Sequence, residues 1–260
     1  MAAMHANVRF DLSGQSVIVT GGGKGIGKVY AREFARAGAS VIAADVDGDA
    51  AREVAEAIRQ EDGACVALEV DVADASSVAD MARHAVESFG RIDVLINNAS
   101  LMSALPRRSF LEIPEDEWDR VMAVNLKGLF LCCRAVVPQM RDQGRGKIVN
   151  ISSSRVWEGV PNRLHYTTSK AGVIGFTRAM AHEVGSMGIT VNAVTPGYTL
   201  SESQVTSSTG DYLAAQAEGR AMGRAQHPED LVGAVMFLSS RASDYMTGQT
   251  INVDGGKAMH

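Results

Sequence analysis

Short apolar segments alternate with longer amphipathic ones along most of this chain, and this alternation restricts its fold more than any other feature. The segments with strand character, such as residues 16–20 and 40–44, are continuously apolar. That pattern is typical of strands that are covered on both faces of a sheet. The segments between them have helical periodicity and end at glycines such as Gly38 and Gly90. The alternation predicts an α/β fold of parallel strand–helix–strand units, with helices on both faces of the sheet.

The predicted elements form one series, with no internal repeat and no linker. Strands are expected at residues 16–20, 40–44, 65–70, 92–96, 147–151, 189–194 and 250–253. Helices are expected at residues 28–37, 50–61, 76–89, 118–141, 164–183 and 229–239. A chain of 260 residues can form one such domain. The prediction is a single doubly wound Rossmann-type domain, with a mainly seven-stranded parallel sheet.

Two segments fall outside this series. Residues 1–10 have no clear periodicity, and we expect a flexible N-terminal extension there. Residues 198–227 are rich in Ser, Thr, Gln and Gly and have only weak helical periodicity. They follow a strand directly, at the sheet edge where open α/β sheets bind ligands. A long irregular insertion in a compact domain is usually functional, so we expect a substrate-binding lid over 198–227.

Composition argues against several classes of function. The formal net charge is −5 and the Lys and Arg residues are scattered, so a general basic surface for nucleic acid is not expected. We find no signal-peptide pattern, and we expect no apolar run long enough to span a bilayer. The three cysteines, Cys65, Cys132 and Cys133, have neither disulfide-framework nor zinc-ligand spacing. We therefore expect a cytoplasmic protein without a metal site.

A glycine cluster lies between the first strand and the first helix. Glycines at this point allow a tight turn and let a pyrophosphate approach the backbone at a helix N-terminus. Asp45, at the end of the second strand and beside Val46, has the spacing of the acidic residue that bonds the adenosine ribose. Its charge would repel a 2′-phosphate, so NAD is favoured over NADP, although Lys24 argues the other way. The cluster's predicted cofactor residues are Gly21, Gly23, Lys24, Gly25, Ile26 and Gly27.

Three residues near the later strands form a candidate reacting centre. Tyr166 and Lys170 are four residues apart in a predicted helix and share one face. Since the pKa of a free tyrosine is about 10, a neighbouring ammonium is needed to make the phenol a useful base near neutral pH. Ser153 follows the fifth strand, so its hydroxyl could bond a substrate oxygen. Ser152 and Ser154 flank it, and Ser153 is preferred by its spacing to Tyr166.

These motifs make the chain resemble the short-chain dehydrogenase/reductase family over about residues 12–256. The resemblance rests on ordered motifs at family-like spacing. They are Thr20-Gly21-xxx-Gly25-x-Gly27, Asp71-Val72, Asn97-Asn98-Ala99, Asn125, Ser153, Tyr166-xxx-Lys170 and Pro196-Gly197. The resemblance implies an oxidoreductase that interconverts an alcohol and a carbonyl with a nicotinamide cofactor.

The resemblance also implies roles by position. Tyr166 would be the acid and base, Lys170 would bond the nicotinamide ribose and lower the tyrosine pKa, and Ser153 would orient the substrate oxygen. Asn125 would hold a water that links Lys170 to solvent. The chain departs from the family at Ser100, where glycine is usual, and at Ser201, where threonine is usual and Thr199 is a rival. The remaining implied cofactor contacts are Asp71, Val72, Asn98, Ala99, Ser100, Ile151, Pro196, Gly197, Thr199 and Ser201.

The substrate is less constrained than the cofactor. Residues expected around it are Met102, Leu105, Arg155, Trp157, His165 and Tyr198. An apolar, aromatic lining suits a hydrophobic, aromatic or cyclic secondary alcohol, although these side chains could equally pack against the lid. Within the family, the chain is similar, to a weaker degree, to dehydrogenases of such alcohols and to pyridoxal 4-dehydrogenase. An NADPH-dependent 3-oxoacyl-carrier-protein reductase and a non-catalytic dinucleotide-binding regulator are the alternatives. The resemblance further implies a homotetramer.

Overall fold

Seven parallel strands form one sheet in the computed structural model, which describes residues 10–201 and 217–259. Its order is β3-β2-β1-β4-β5-β6-β7, and this confirms the predicted doubly wound α/β fold. The predicted N-terminal extension lies almost wholly outside the described residues, as does the middle of the predicted lid. The strands are β1 (Ser16–Thr20), β2 (Ser40–Asp45), β3 (Cys65–Glu69), β4 (Val94–Asn97), β5 (Gly146–Ile151), β6 (Ile189–Pro196) and β7 (Thr250–Val253).

Helices cover both faces of the sheet. They are α1 (Gly25–Arg36), α2 (Gly48–Gln60), α3 (Ala75–Phe89), α4 (Glu115–Met122), α5 (Gly128–Asp142), α6 (Arg155–Glu158), α7 (Leu164–Val184) and α8 (Glu229–Ser239). A π turn, Ala123–Lys127, joins α4 to α5. Short 3₁₀ turns lie at Phe110–Glu112, Gly185–Met187 and Arg241–Ser243.

The alternation of side chains along the strands produces two separate cores. In β1, Val17 and Val19 pack into one apolar cluster with residues of α1, α2 and α8. Ile18, between them, packs into the other cluster with residues of α3, α5 and α7. Successive side chains of a strand point to opposite faces, so each strand needs apolar residues at every position. This explains the continuously apolar segments of the sequence.

The strand order reverses between β1 and β4, since β2 and β3 lie on one side of β1 and β4 to β7 on the other. Open α/β sheets bind ligands at such a point, in the crevice at the carboxyl ends of the strands. The segments that leave β1, β4, β5 and β6 at this edge carry the glycine turn and the residues around Ala99, Ser153 and Pro196. The topology thus brings the sequence motifs to one edge.

Some predicted boundaries differ from the observed ones. Helix α1 begins at Gly25 rather than at residue 28, directly after the glycine turn. Strand β4 begins at Val94 rather than at residue 92, and the Asp93 carboxylate just before it accepts the Ser16 backbone N–H at 2.9 Å. The helix predicted over 118–141 begins earlier, at Glu115, and is interrupted by the π turn. Helix α6 was not predicted.

One continuous helical stretch, Glu115–Asp142, is long and apolar enough to cross a membrane by length and composition alone. The expectation that no run reaches that length was therefore wrong. Such a stretch is weak evidence for a membrane span, since core helices of globular proteins have the same character. Here 44% of its most apolar window is buried within the fold, where Leu131, Val136 and Met140 pack in the second core cluster.

Candidate active site

A cavity of about 770 Å³ lies at the carboxyl ends of the strands. It extends from Asp45 at the end of β2 to Tyr166 and Lys170 in α7. The predicted cofactor residues that line it are Gly21, Lys24, Gly25, Ile26, Asp45, Val46, Asp71, Val72, Asn98, Ala99, Ser100, Ile151, Tyr166, Lys170, Pro196, Gly197, Thr199 and Ser201.

The glycine turn supplies one wall of this cavity. Gly21 and Gly25 have φ values of +63° and +53°, which side chains adopt only with strain. Gly27 is not among the lining residues: a Cβ there would lie 2.0 Å from the Gly21 carbonyl oxygen and 2.6 Å from Asn98 Nδ2. Position 27 requires glycine because the first turn of α1 packs directly against the glycine turn that precedes the helix.

Gly23 also does not line the cavity. Its backbone N–H donates to Asp45 Oδ2 at 2.9 Å, and the Asp47 N–H donates to Asp45 Oδ1 at 3.0 Å. The Asp45 carboxylate is therefore held by two backbone donors at the rim of the cavity. Gly23 contributes to the site through the orientation of this carboxylate rather than by contact.

Lys24 is paired with an acid beside Asp45. Its Nζ lies 2.5 Å from Asp47 Oδ2, and the hydrogen bond with Asp47 raises the pKa of this exposed lysine. Two carboxylates and one lysine thus surround this end of the cavity. The negative charge of Asp45 is left facing the place where a ribose would lie in this fold.

The end of β4 is tied to the glycine turn by side-chain and backbone hydrogen bonds. Asn98 Nδ2 donates to the Thr20 and Gly21 carbonyl oxygens at 3.0 and 3.1 Å. Thr20 Oγ1 accepts the N–H groups of Asn98 and Ala99, each at 3.1 Å. These contacts bridge the switch point of the sheet and hold the two cavity walls at a constant separation.

Tyr166 and Ser153 meet at the other end of the cavity, and each is less than a tenth exposed. Burial raises the pKa of Tyr166, whereas a hydrogen bond with Ser153 and the charges of Arg155 and Arg163 lower it. Ser153 is the serine of the Ser152–Ser154 run that contacts the phenol. Ser152 Oγ donates to the Lys170 carbonyl oxygen at 2.7 Å, and Ser154 Oγ donates to the Glu158 carboxylate at 2.6 Å.

Lys170 lies one helical turn after Tyr166 and is almost fully buried. Its Nζ donates to the Ile151 carbonyl oxygen at 2.8 Å and lies 5.9 Å from the centre of the Tyr166 ring. Burial lowers the pKa of Lys170 to about 7. The sequence predicted that this ammonium lowers the tyrosine pKa. In the structure burial raises the pKa of Tyr166 overall, and the groups that lower it in part are Ser153, Arg155 and Arg163.

Asn125 lies in the π turn, and its side chain is enclosed by the fold. Its Oδ1 accepts the Leu101 N–H at 2.7 Å, while Nδ2 donates to the Leu101 carbonyl at 3.2 Å and to Ser169 Oγ at 3.1 Å. Asn125 and Lys170 both line a second cavity of about 10 Å³. That volume is near the minimum needed for one water molecule, which agrees with the relay that the family resemblance implies.

The predicted substrate-side residues separate into two groups. Met102, Arg155 and Tyr198 line the main cavity. Leu105 and His165, each at most 2% exposed, do not, and Trp157 also lies outside the lining, with Nε1 donating to Thr195 Oγ1 at 3.4 Å.

His165 instead connects the catalytic helix α7 to helix α4. Its Nε2 lies 3.1 Å from a Glu117 carboxylate oxygen, and Arg108 Nη2 lies 3.4 Å from the other oxygen. Arg163, just before α7, donates from Nη2 to the Leu105 carbonyl at 2.8 Å. The Arg163 contact therefore holds the loop after β4, and the His165 contact holds α4, against the start of the helix that carries Tyr166.

The two ends of the predicted lid are joined where the structure describes them. The Leu200 N–H donates to the Gln226 carbonyl oxygen at 2.8 Å, and Arg220 Nη2 donates to the Tyr198 carbonyl oxygen. The segment between these ends lies outside the described residues. Residues 198–201 and 220–226 thus form a closed base beside the cavity.

Comparison with known proteins agrees with this geometry. The family described as enoyl-(acyl carrier protein) reductase, a short-chain dehydrogenase group, matches residues 21–258. The chain is 39% identical over 250 residues to a 3-oxoacyl-acyl-carrier-protein reductase of Staphylococcus aureus, covering 94% of this chain and 98% of that protein. It is 37% identical to an uncharacterized oxidoreductase of Thermotoga maritima, covering 95% and 98%. The chain belongs to the short-chain dehydrogenase/reductase family.

A solved member of the family has nearly the same backbone. It is a 7α-hydroxysteroid dehydrogenase in complex with NADH and 7-oxo glycochenodeoxycholic acid. The TM-score is 0.91 at 31% identity, and the match covers 97% of each chain. As a short-chain dehydrogenase/reductase, the present chain is an oxidoreductase of a family that binds nicotinamide dinucleotides.

The residues of this chain fit such a dinucleotide. The first turn of α1 faces the cavity at Gly25 and Ile26, where backbone N–H groups and the helix dipole favour a pyrophosphate. Carboxylates lie at one end, and the phenol and amine of Tyr166 and Lys170 lie at the other. The cavity is continuous between them, as an extended two-nucleotide molecule requires.

Sequence reasoning missed three cavity-lining charges, Arg120, Glu158 and Arg163. Arg120 lies within a predicted helix, Glu158 in an unpredicted one and Arg163 just before a predicted one, and none of these positions carries a motif. The π turn that holds Asn125 was missed too, since its residues continue a helical pattern. π turns are frequent at functional sites, but nothing in the local sequence distinguishes this one.

Proposed function

We propose that this short-chain dehydrogenase/reductase is an NAD-dependent dehydrogenase of hydrophobic, aromatic or cyclic secondary alcohols, acting also as the corresponding ketoreductase. The observation that carries the proposal is that Ser153, Tyr166 and Lys170 line the same end of one cavity. A phenol and a hydroxyl at one point can bind one substrate oxygen and exchange its proton.

In this mechanism Ser153 donates a hydrogen bond to the substrate oxygen, and Tyr166 removes the hydroxyl proton during oxidation or returns it during reduction. The bound nicotinamide would supply the hydride acceptor or donor. Arg155 and Arg163 favour the phenolate by their charge. Lys170 would pass the proton onward to a water held by Asn125, since both residues line the small second cavity. Oxidation therefore accelerates as pH rises through the Tyr166 pKa, because the base must be deprotonated.

The preference for NAD is supported by the charges at the adenosine end. Asp45 is oriented by two backbone N–H groups, so its carboxylate would repel a 2′-phosphate and could bond two ribose hydroxyls. Lys24, the residue that could favour NADP, is paired with Asp47. We expect NADH to bind at least tenfold more tightly than NADPH, measured by fluorescence titration.

The substrate class is supported by the lining beyond the reacting centre. Leu101, Met102, Ala104, Val160 and Tyr198 give this part of the cavity an apolar and aromatic surface. Such a surface suits a hydrophobic ring. The described part of the lid base lies beside it, so the lid of residues 198–227 would enclose the substrate.

The second candidate is an NADPH-dependent 3-oxoacyl-carrier-protein reductase, favoured by the 39% identity to the Staphylococcus aureus enzyme. Asp45 argues against it. The third, a non-catalytic dinucleotide-binding regulator, would not need Ser153, Tyr166 and Lys170 together in the cavity. Reduction of a 3-oxoacyl thioester with NADPH, faster than oxidation of any alcohol with NAD, would favour the second candidate. Dinucleotide binding without any turnover would favour the third.

The decisive experiment uses a panel of secondary alcohols and ketones with NAD(H). Tyr166→Phe should lower kcat by about 10²–10⁴-fold, the usual contribution of general acid–base catalysis, while NADH binding changes little. Tyr245→Phe is the matched control, because that tyrosine is fully exposed. Equal turnover by Tyr166→Phe and wild type would contradict the proposed mechanism.

We also propose a homotetramer in the cytoplasm. The exposed faces of α5 and α7 carry large apolar side chains, including Phe130 and Leu164, and such surfaces support assembly. The free thiols of Cys65, Cys132 and Cys133 are consistent with a reducing compartment. Light scattering at micromolar concentration tests the assembly, and a monomeric mass would contradict it.

A further inference from the structure

Arg220 is a buried arginine behind the wall of the main cavity. It is 5% exposed, does not line the cavity, and lies in the segment that returns to the fold after the predicted lid. Arg224, four residues later, is exposed and pairs with both oxygens of the Asp230 carboxylate at 2.7 Å. Removing a guanidinium from water costs free energy, which the contacts inside the fold must offset. The partners of Arg220 therefore indicate what its guanidinium does in this fold.

The guanidinium of Arg220 connects two segments of the chain. Its Nη2 donates to the Tyr198 carbonyl oxygen, and its Nη1 donates to the Arg224 carbonyl oxygen at 3.3 Å. Tyr198 belongs to the β6 loop, residues 197–201, which follows β6. A hydrogen bond from a charged donor is about twice as strong as one between neutral groups. Arg220 thus fixes the β6 loop from outside the cavity, which the loop lines at Gly197, Tyr198, Thr199 and Ser201.

The C-terminal turn after β7 packs against Arg220. Gly255 in this turn has a φ of +73°, and a Cβ at this position would lie 3.2 Å from Arg220 Cδ. Asp254 is buried, and its carboxylate accepts three backbone N–H groups of the same turn at 2.9, 3.1 and 2.8 Å. Burial lowers the pKa of Arg220, whereas the charge of Asp254, followed by that of Glu158, raises it. A hydrogen-bonded turn with a fixed negative charge therefore supports the guanidinium.

The β6 loop is attached to the same elements on either side of Tyr198. The Gly197 N–H donates to the Val253 carbonyl oxygen at 3.0 Å, and the Leu200 N–H donates to the Gln226 carbonyl oxygen at 2.8 Å. The Gln226 side chain donates to the Val253 carbonyl oxygen as well, from Nε2 at 2.6 Å. The Tyr198 carbonyl lies between the two backbone attachment points along the chain. The path of the β6 loop is thus set from behind, by β7 and the returning segment.

We propose that Arg220 is a positioning residue for the nicotinamide ring: by holding the Tyr198 carbonyl, it sets the surface of the β6 loop against which that ring lies. This inference rests on the proposed dehydrogenase function, which requires the ring beside Tyr166. The Ser154 N–H donates to the Pro196 carbonyl oxygen at 2.9 Å, so the β6 loop begins beside the segment that carries the catalytic serine. Hydride transfer needs the reacting atoms at a defined separation, and a displacement of about 1 Å can cost about 100-fold in rate.

The first test compares the binding of NADH with that of ADP-ribose, which has the adenosine, the pyrophosphate and the second ribose of NADH but no nicotinamide. Isothermal titration gives both dissociation constants. In Arg220→Met, which keeps a chain of similar length without the donors, NADH should bind about fivefold more weakly or worse, while ADP-ribose stays within about twofold of wild type. Arg220→Lys should recover part of the loss, because its ammonium can donate to the Tyr198 carbonyl. Unchanged NADH affinity in Arg220→Met, or equal weakening of both ligands, would overturn the inference.

Arg224→Met is the matched control. It removes a guanidinium from an exposed position of the same segment, where the side chain is paired with Asp230 of α8. The ratio of the two dissociation constants should stay as in wild type, and the same change of ratio in both variants would overturn the assignment to Arg220. Urea denaturation shows whether Arg220→Met folds. If it does not, Arg220→Lys carries the test, and a wild-type ratio in that variant would overturn the inference.

Turnover separates this inference from the proposed function. With an alcohol that wild type oxidises, Arg220→Met should lower kcat by about tenfold or more while KM changes less, because a misplaced ring slows hydride transfer. If wild type oxidises alcohols and Arg220→Met keeps the wild-type kcat and NADH affinity, the dehydrogenase function stands and this inference fails. If no alcohol is oxidised while Arg220→Met still weakens the binding of NADH and not of ADP-ribose, the proposed function fails and the positioning of the nicotinamide stands.

Discussion

The two ends of the active-site cavity are built in different ways. The adenosine end is formed largely by backbone: a glycine turn, the first turn of α1, and an aspartate held by two N–H groups. The substrate end is formed by buried ionisable side chains, among them Tyr166, Lys170 and Arg163. The first end depends on how closely segments of chain can approach, and the second on which charges the fold keeps away from water.

This difference has a consequence for stability and for function. Backbone packing tolerates no added atoms, but its groups are hydrogen-bonded and carry little electrostatic cost. Buried amines and guanidiniums cost free energy to desolvate, and they are retained where charge is used. We therefore expect substitutions at the adenosine end to damage the fold and the cofactor site together. At the substrate end, stability and activity should change in opposite directions.

The largest effect should come from Gly27→Ala at the adenosine end. The new Cβ would lie 2.0 Å from the Gly21 carbonyl oxygen, a backbone atom that cannot move aside as a flexible side chain could. We expect a loss of about 3 kcal/mol in the free energy of unfolding, together with loss of NADH binding. Urea denaturation and fluorescence titration measure the two quantities.

Gly175→Ala is the control for that substitution. Gly175 lies in α7, and a Cβ there meets nothing within 4 Å. Because alanine is the better helix former, this variant should gain up to about 1 kcal/mol. A similar loss of stability in both variants would show that the close contact at Gly27 does not cause the loss in Gly27→Ala. The proposed difference between the adenosine end and the substrate end would then no longer hold.

Lys170→Met tests the substrate end. The variant should lose turnover, yet gain about 1–3 kcal/mol in the free energy of unfolding at pH 7, since a buried amine is replaced by an apolar chain of similar length. Its activity and its stability would thus change in opposite directions. A variant less stable than wild type at pH 7 would contradict the idea that burial of Lys170 has a cost.

The pH dependence of that gain follows from the lowered pKa. Between about pH 7 and 10.5 the unfolded chain keeps the Lys170 proton, whereas the folded protein releases it. Within this window the unfolded state binds one proton more than the folded state. A rise in pH therefore favours the folded state, and the contribution of Lys170 to the free energy of unfolding increases. The gain in Lys170→Met should be full below pH 7 and should shrink towards pH 10.5, measured by urea denaturation at several pH values.

The smallest effect should come from the contact between α7 and α4, whose Glu117 also faces Arg108 of the loop after β4. In His165→Leu the Glu117 carboxylate loses its buried partner, and we expect a loss of about 1 kcal/mol in stability. The loop that contains Met102 should then be held less firmly, so KM for the alcohol should rise severalfold while NADH affinity stays constant.

His182→Leu, at an exposed position near the other end of α7, is the control for His165→Leu and should change stability by less than about 0.5 kcal/mol. An unchanged KM in His165→Leu would mean that the contact with Glu117 stabilises the fold without positioning the substrate loop.

The difference between local and long-range contacts also explains which features the sequence predicted. The alternation of apolar segments predicted the doubly wound fold, because strands buried on both faces need apolar residues at every position. The glycine turn, Asp45 and the Tyr166–Lys170 pair were identifiable because each depends on short spacings along one turn or one helix. These features belong to local geometry, which a linear pattern records directly.

Other features depended on contacts between distant segments. Trp157 and His165 were expected to face the substrate, but the fold directs them to Thr195 and Glu117. Arg163 was not identified at all, although it lines the cavity beside Tyr166. The burial that raises the pKa of Tyr166 and lowers that of Lys170 also depends on distant segments.

The sequence by itself determined the class of fold, the edge of the sheet that carries the site and the family of chemistry. Each of these follows from periodicity and from spacings within a few residues. Only the tertiary structure decided which side chains face the cavity and which charges are buried together. Solvent exposure and Coulomb interactions act through space, between segments such as Arg163 and Leu105 that lie 58 residues apart in the chain.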